Sequence, residues 1–163
     1  MNAAHFHVLI NHIPGIGFLL GLGVLLAGVY LHQNIVRQTG LLLLFLTSLT
    51  SIPAFYSGHE AEEIAQKFGA KQAIEEHEAA AEWAYHLTLA AGAAAGLAFI
   101  AGYKQLKWGR YATTGTIVLA AFSSAALVRT GYLGGNIRHT EFSDAPQPPA
   151  GYAEPMVPHT HQH

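Results

Sequence analysis

A chain of 163 residues that is 51% hydrophobic, only 11% charged and slightly negative has the composition of one membrane-embedded bundle, because soluble domains carry charge on roughly a quarter of their residues. The absence of cysteine excludes disulfides, iron–sulfur clusters, thiolate metal sites and c-type haem attachment on this chain, and no basic cluster suits nucleic acid. Eleven histidines outnumber the eight lysines and arginines, so imidazole is the chemical surplus to be explained.

The apolar residues come in blocks. The first, 8–31, has no Lys or Arg ahead of it and is longer than the roughly 7–15 residues of a signal-peptide core, so it reads as a retained helix. Three more blocks follow at 40–56, where Pro53 lies near the end, 83–103 and 111–133. Each meets or nearly meets the length of about 20 apolar residues that crosses a bilayer as a helix. Gly17 and Gly21, like Gly92 and Gly96, are spaced for close helix packing.

Between the second and third blocks, "HEAEEIAQKFGAKQAIEEHEAAAE" is polar, yet Ala61, Ile64, Ala65 and Phe68 recur at helical spacing. This predicts a short amphipathic helix on the outer surface, interrupted at Gly69, and a second helix that starts near Ala70 and runs into the third span. From Ser143 the chain holds five of its seven prolines and ends in "PHTHQH", which predicts an extended tail. The expected fold is therefore an all-α membrane protein: a four-transmembrane-helix up-down bundle with a short outer amphipathic helix over 1–142, and a Pro/His-rich tail over 143–163.

Charge orients the bundle. Arg37 lies in the first short connection and Lys104, Lys107 and Arg110 in the last, while the other side carries Lys67 and Lys71 among glutamates, plus Arg138. The positive-inside rule puts the two short connections in the cytoplasm and both termini outside. Tyr30, Tyr103, Trp108 and Tyr111 would form the inner aromatic belt, and Tyr56, Trp83, Tyr85 and Tyr132 the outer one.

With that topology, seven histidines converge on the outer end: His5, His7 and His12 open the first span, His59 follows the second, His77 and His86 flank the start of the third, and His139 follows the fourth. His32 alone lies at the inner end. Three chemistries fit. The first is a b-type haem, which needs one or two neutral imidazoles and a cation for its propionates. His12 and His86, at similar depth on parallel spans, are the expected axial pair; Arg129 or Arg138 would hold the propionates, and Gly134 and Gly135 would admit close approach. The second is copper, zinc or non-haem iron, held among His7, His12, His59, Glu63, His77, Glu82, His86 and His139, since imidazole and carboxylate suit these ions. The third is interfacial placement alone, as in a structural subunit of a larger respiratory or photosynthetic complex, because His, Tyr and Trp commonly sit where their polar tips reach water.

Three segments carry a resemblance. "HVLINHIPGIGF" keeps His7, His12 and Pro14 at the spacing of a His-Pro-x-x-Val-His-Phe-Pro motif, with Val8, Asn11 and Ile13 in place of its other residues; "GHEAEE" with "HEAAAE", and "LGGNIRHTE", complete it. Over about 5–142 the chain resembles the bacterial membrane family DUF2231. Members of that family are found fused to Rieske or c-type cytochrome domains. The resemblance implies electron transfer and favours haem. A haem b carrier in a bacterial inner membrane, with both termini periplasmic as the charges predict, would contact the lipid bilayer, a quinone and a periplasmic cytochrome or larger membrane complex.

Overall fold

The computed structural model describes residues 7, 9–65 and 71–138, with the side chains of 59–65 and 136–138 outside that description. Four long helices make up the fold: α1 (His12–Tyr30), α2 (Asn34–Ala65), α3 (Lys71–Tyr103) and α4 (Gly109–Arg138). They pack as an up-down bundle, α1 on α2, α2 on α3 and α3 on α4, with a lighter seam between α1 and α4 closing the ring. Each is long and apolar enough to cross a membrane, so the chain is a multi-pass membrane protein whose exterior faces lipid. The extended tail expected over 143–163 lies outside the described residues.

Two connections close one end of the bundle, and both use the same turn. His32 and Gln105 each adopt φ of 54°. The next N–H then reaches back five residues, Gln33 to the Gly28 carbonyl at 3.0 Å and Leu106 to the Ala101 carbonyl at 2.8 Å. This is the Schellman geometry that satisfies the last helix carbonyls, here with a side chain where glycine is usual. The polar run "QNIVRQT" reads as loop, yet α2 already begins at Asn34. The tight turn forces α1 and α2 together at once, and glycine permits it: a Cβ on Gly28 would strike the backbone of Arg37, and one on Gly40 the backbone of Leu25.

Farther along, α2 is gripped from both sides. Gly17 and Gly21 of α1 receive Thr47 and Leu44, while Gly92 and Gly96 of α3 receive Ser48 and Phe45. The two small-residue pairs are thus used for close packing against one helix. Pro53 lies inside α2, where it gives up its own backbone bond. Residues 59–65, expected as part of a separate surface helix, instead continue α2 without a break. No breaker stands between Ser57 and Ala65 except Gly58, and that glycine is occupied by a neighbour described below. The helix expected from about Ala70 is α3, which runs from Lys71 through the third span. Its 33 residues rise roughly 50 Å, so its charged first turns project beyond a hydrocarbon core of about 30 Å.

The core changes character along the axis. Toward the connected end it holds Phe18, Leu25, Leu41 and Leu44, all fully buried, against Ala91, Ala95, Ala98 and Ala120. Toward the other end the buried residues, Ile74 apart, are small or hydroxylated: Pro14, Ser51, Ala54, Ser57, Ala80, Ala84, Thr88, Ser123 and Ser124. Most of these hydroxyls bond back to their own helix, as Ser51 does to the Ser48 carbonyl at 2.6 Å and Ser123 to the Leu119 carbonyl at 2.8 Å. Such back-bonding lets a hydroxyl sit in an apolar interior.

Candidate histidine site

The end with small residues is the end with histidines, and helical phase decides which of them turn inward. On α3 the buried stripe runs through Ile74, Ala80, Ala84, Thr88 and Ala91. His77 lies seven residues before Ala84, on that stripe. His86 lies midway between buried Ala84 and Thr88, so it points the other way and is exposed. The first helix repeats the pattern. Pro14 is buried, and His12, two residues earlier, is exposed.

His7 is half-buried beside α2. Its Nδ1 lies 3.1 Å from the Ala54 carbonyl and 3.0 Å from Ser57 Oγ, and that hydroxyl also donates to the Ala54 carbonyl at 2.9 Å. A carbonyl oxygen only accepts, so Nδ1 is the protonated nitrogen and Nε2 keeps its lone pair. His77 makes the same kind of contact across the bundle. Its Nδ1 donates to the Thr130 carbonyl of α4 at 3.0 Å, which again leaves Nε2 as the basic atom.

Each imidazole also rests on a glycine of the helix it reaches. A Cβ on Gly58 would lie 3.2 Å from His7 Cε1, and one on Gly134 would lie 3.0 Å from His77 Cε1. Gly135, beside it, faces open space. The two histidines feel each other. Burial holds the His7 pKa below the ordinary histidine value, the bond to the Ala54 carbonyl opposes this, and positive charge on His77 and then His12 lowers it further.

The other described residues expected at the site do not join this pair. His12 and His86 are on α1 and α3, which are diagonal in the bundle, and both side chains face outward. Arg129 is exposed on α4, and Glu82 is exposed on α3. Glu82 shares an open cleft of about 440 Å³ with Phe55, Glu75, Glu78 and Ala79. Phe55 also stacks on Tyr85 at 4.4 Å and 10°, and the His86 ring lies 5.3 Å from that of Tyr85. His59 and Glu63 lie on the last turns of α2 and Arg138 ends α4, but their side chains are outside the described set, as are His5 and His139 entirely. Among the described residues no group of three or more His, Asp or Glu is arranged to hold a metal ion.

Sequence reasoning did not single out Ala54, Ser57 and Thr130, whose backbone and hydroxyl groups orient the two imidazoles. Their only trace is the glycine one residue past Ser57 and four past Thr130, which makes room for a ring. Comparison with known proteins brings no match: neither a family model, nor a curated protein, nor a solved structure is similar to the chain.

Proposed function

We propose that the protein is a membrane electron carrier that binds b-type haem at its histidine end, with His7 and His77 as the residues that would hold it. The observation that carries this reading is the shared posture of the two imidazoles. Each comes from a different helix and donates Nδ1–H to a backbone carbonyl. Metal-binding histidines are oriented in this way, because the bond fixes the tautomer and raises the basicity of the free nitrogen.

The donor set suits haem better than a bare ion. One or two imidazoles suffice for haem iron, whereas copper, zinc or non-haem iron would need further ligands that the described residues do not gather. When bound, haem would supply reversible one-electron transfer. The protein's part is to keep His7 and His77 neutral and oriented: Ala54, Ser57 and Thr130 accept from or surround Nδ1, and Gly58 and Gly134 let the rings lie against the helices. Arg129 or Arg138, at the same end, would hold the propionates.

The basic connections at the other end, with Lys104, Lys107 and Arg110, favour a cytoplasmic location for that end. The histidine end would then face the periplasm of a bacterial inner membrane, where a quinol and a soluble cytochrome or a larger complex are the partners. The resemblance to the DUF2231 family, with its fusions to Rieske and c-type cytochrome domains, supports the same assignment.

The test is a reduced-minus-oxidised absorption spectrum of the full chain, expressed with haem supplied, together with metal analysis. A sharp reduced b-type band at near-stoichiometric haem is expected. Copper or zinc without haem would replace the proposal with a non-haem site, and neither would leave a structural subunit.

A further inference from the structure

Inside a membrane bundle a hydroxyl or amide has no bulk water to turn to, so it bonds within the protein or costs free energy. Most buried hydroxyls here meet this need on their own helix, as Ser48, Ser51, Thr116 and Ser123 do. Three side chains in the histidine half do not. Thr88 is 0% exposed and Ser124 6% exposed, yet neither hydroxyl has a hydrogen-bond partner among the described residues, and the buried Oδ1 of Asn11 has none either. Asn11 stands at the N-cap of α1 without using its side chain as a cap, although capping is the usual work of asparagine there. Its spacing from buried Pro14 and Phe18 on the same helix turns it inward instead.

The three come from different helices and meet at one depth. Gly17 against Thr47 and Gly21 against Leu44 set α1 on α2, which brings Asn11 level with positions 53–54. Ser48 against Gly92 and Phe55 against Tyr85 carry that level to positions 86–87 of α3, beside Thr88. The His77–Thr130 and Ala101–Gly109 contacts together place Ser124 level with positions 83–86 of α3. Projected on one axis, the three residues therefore fall within about five positions, roughly 7.5 Å. The buried residues beside them at these levels, Ala54 and Ala84, are small. Either hydroxyl could donate to the Asn11 oxygen, and neither reaches it.

We propose that Asn11, Thr88 and Ser124 form a water-binding site in the interior of the bundle. Water is the ligand their chemistry selects. Asn11 Oδ1 offers only lone pairs, each hydroxyl offers a donor and an acceptor, and none of the three carries a charge to hold an ion. A buried water makes about three hydrogen bonds, which matches the three groups left without partners. Ser57, whose hydroxyl touches His7, lies about one turn outward from Ala54. The site thus sets a protic molecule inside the bundle between the histidine pair and the aliphatic half of the core. It requires no cofactor, so it stands or falls independently of the haem reading.

The test is water-edited solid-state NMR of the full, isotope-labelled chain in phosphatidylcholine bilayers, which reads magnetisation passed from water to nearby side chains. Asn11, Thr88 and Ser124 should receive it, while Leu25 and Ala91, fully buried in the aliphatic half, stay dry. Thr88→Val replaces the hydroxyl by a methyl of similar size. It should lower the transfer to the Asn11 amide and to Ser124 at least threefold, because the shared water loses a partner. Three results would overturn the proposal. In the first, all three residues of the parent are as dry as Ala91, which returns the hydroxyls to their own helix carbonyls. In the second, Asn11 alone is wet, which is hydration of a helix end. In the third, Asn11 and Ser124 keep the parent transfer in Thr88→Val, which means that the three do not share a site.

Discussion

His7 and His77 differ from His12 and His86 in nothing that a residue count reveals. All four come from the first and third helical segments and lie at one end of the bundle. The first two are half-buried with Nδ1 bonded to backbone, and the second two face outward. The difference is one of helical phase: a shift of two residues along a helix turns a side chain by about 200° and exchanges core for lipid or water. Histidines gathered by topology are therefore sorted by rotation, and among the described histidines only the inward pair has Nδ1 bonded to a backbone carbonyl.

The sharpest way to break the contrast is through the glycines. Gly134→Ala puts a methyl 3.0 Å from His77 Cε1, so the ring must give by a few tenths of an ångström and strain its bond to Thr130. A loss of about 1–3 kcal/mol in stability is expected from such overpacking, with haem retention falling in parallel if His77 is a ligand. Gly135→Ala, one residue on, meets nothing within 4 Å and should instead stabilise the helix by about 0.5–1 kcal/mol. Denaturant titration of both variants in micelles would read the opposite signs, and equal effects would mean that the His77 seat is not tight.

Smaller effects sharpen the His7 side. Ser57→Ala removes a hydroxyl that touches both Nδ1 and the Ala54 carbonyl. It should cost about 1 kcal/mol and change haem content little, because the carbonyl remains to fix the tautomer. In the cofactor-free chain, His7 has a pKa below its unfolded value, chiefly from burial. Just below the ordinary histidine value of about 6.5, the unfolded chain takes up a proton that folded His7 refuses, so stability falls as pH drops from there toward the lower folded pKa and is flat above it. Thermal melts across that window should show this dependence in the parent and lose part of it in His7→Gln, and a parent that grows more stable on acidification would contradict the burial of neutral His7.

The spans, their order and the placing of His7, His12, His77 and His86 at one end were legible because hydrophobic length and alternation of direction are linear properties of the chain. The pairs Gly17–Gly21 and Gly92–Gly96 also announced their packing role, although not that both press on α2. What the sequence hid was tertiary. The polar run at 33–39 joins α2 because Gly28 and Gly40 let two backbones meet across a tight turn. Residues 59–65 extend α2 because nothing there ends a helix, whatever their polarity. His12 and His86 were matched by depth, which is readable from distance to the span edge. The inward turn of His77 was implicit in its spacing from Ala80 and Ala84, but an alanine-rich helix gives little contrast between faces, and the buried stripe stands out only once the neighbouring helices are in place. The carbonyls of Ala54 and Thr130 leave no side-chain signature at all.

The central claim, that the inward pair and not the outward pair serves the site, is tested most directly by haem content and spin state in four single variants of the full chain. His7→Ala and His77→Ala should each lose haem or turn it high-spin, while His12→Ala and His86→Ala should keep the parent ratio and spectrum. Loss of haem from the His12 and His86 variants, with the parent spectrum preserved in those at His7 and His77, would contradict the account.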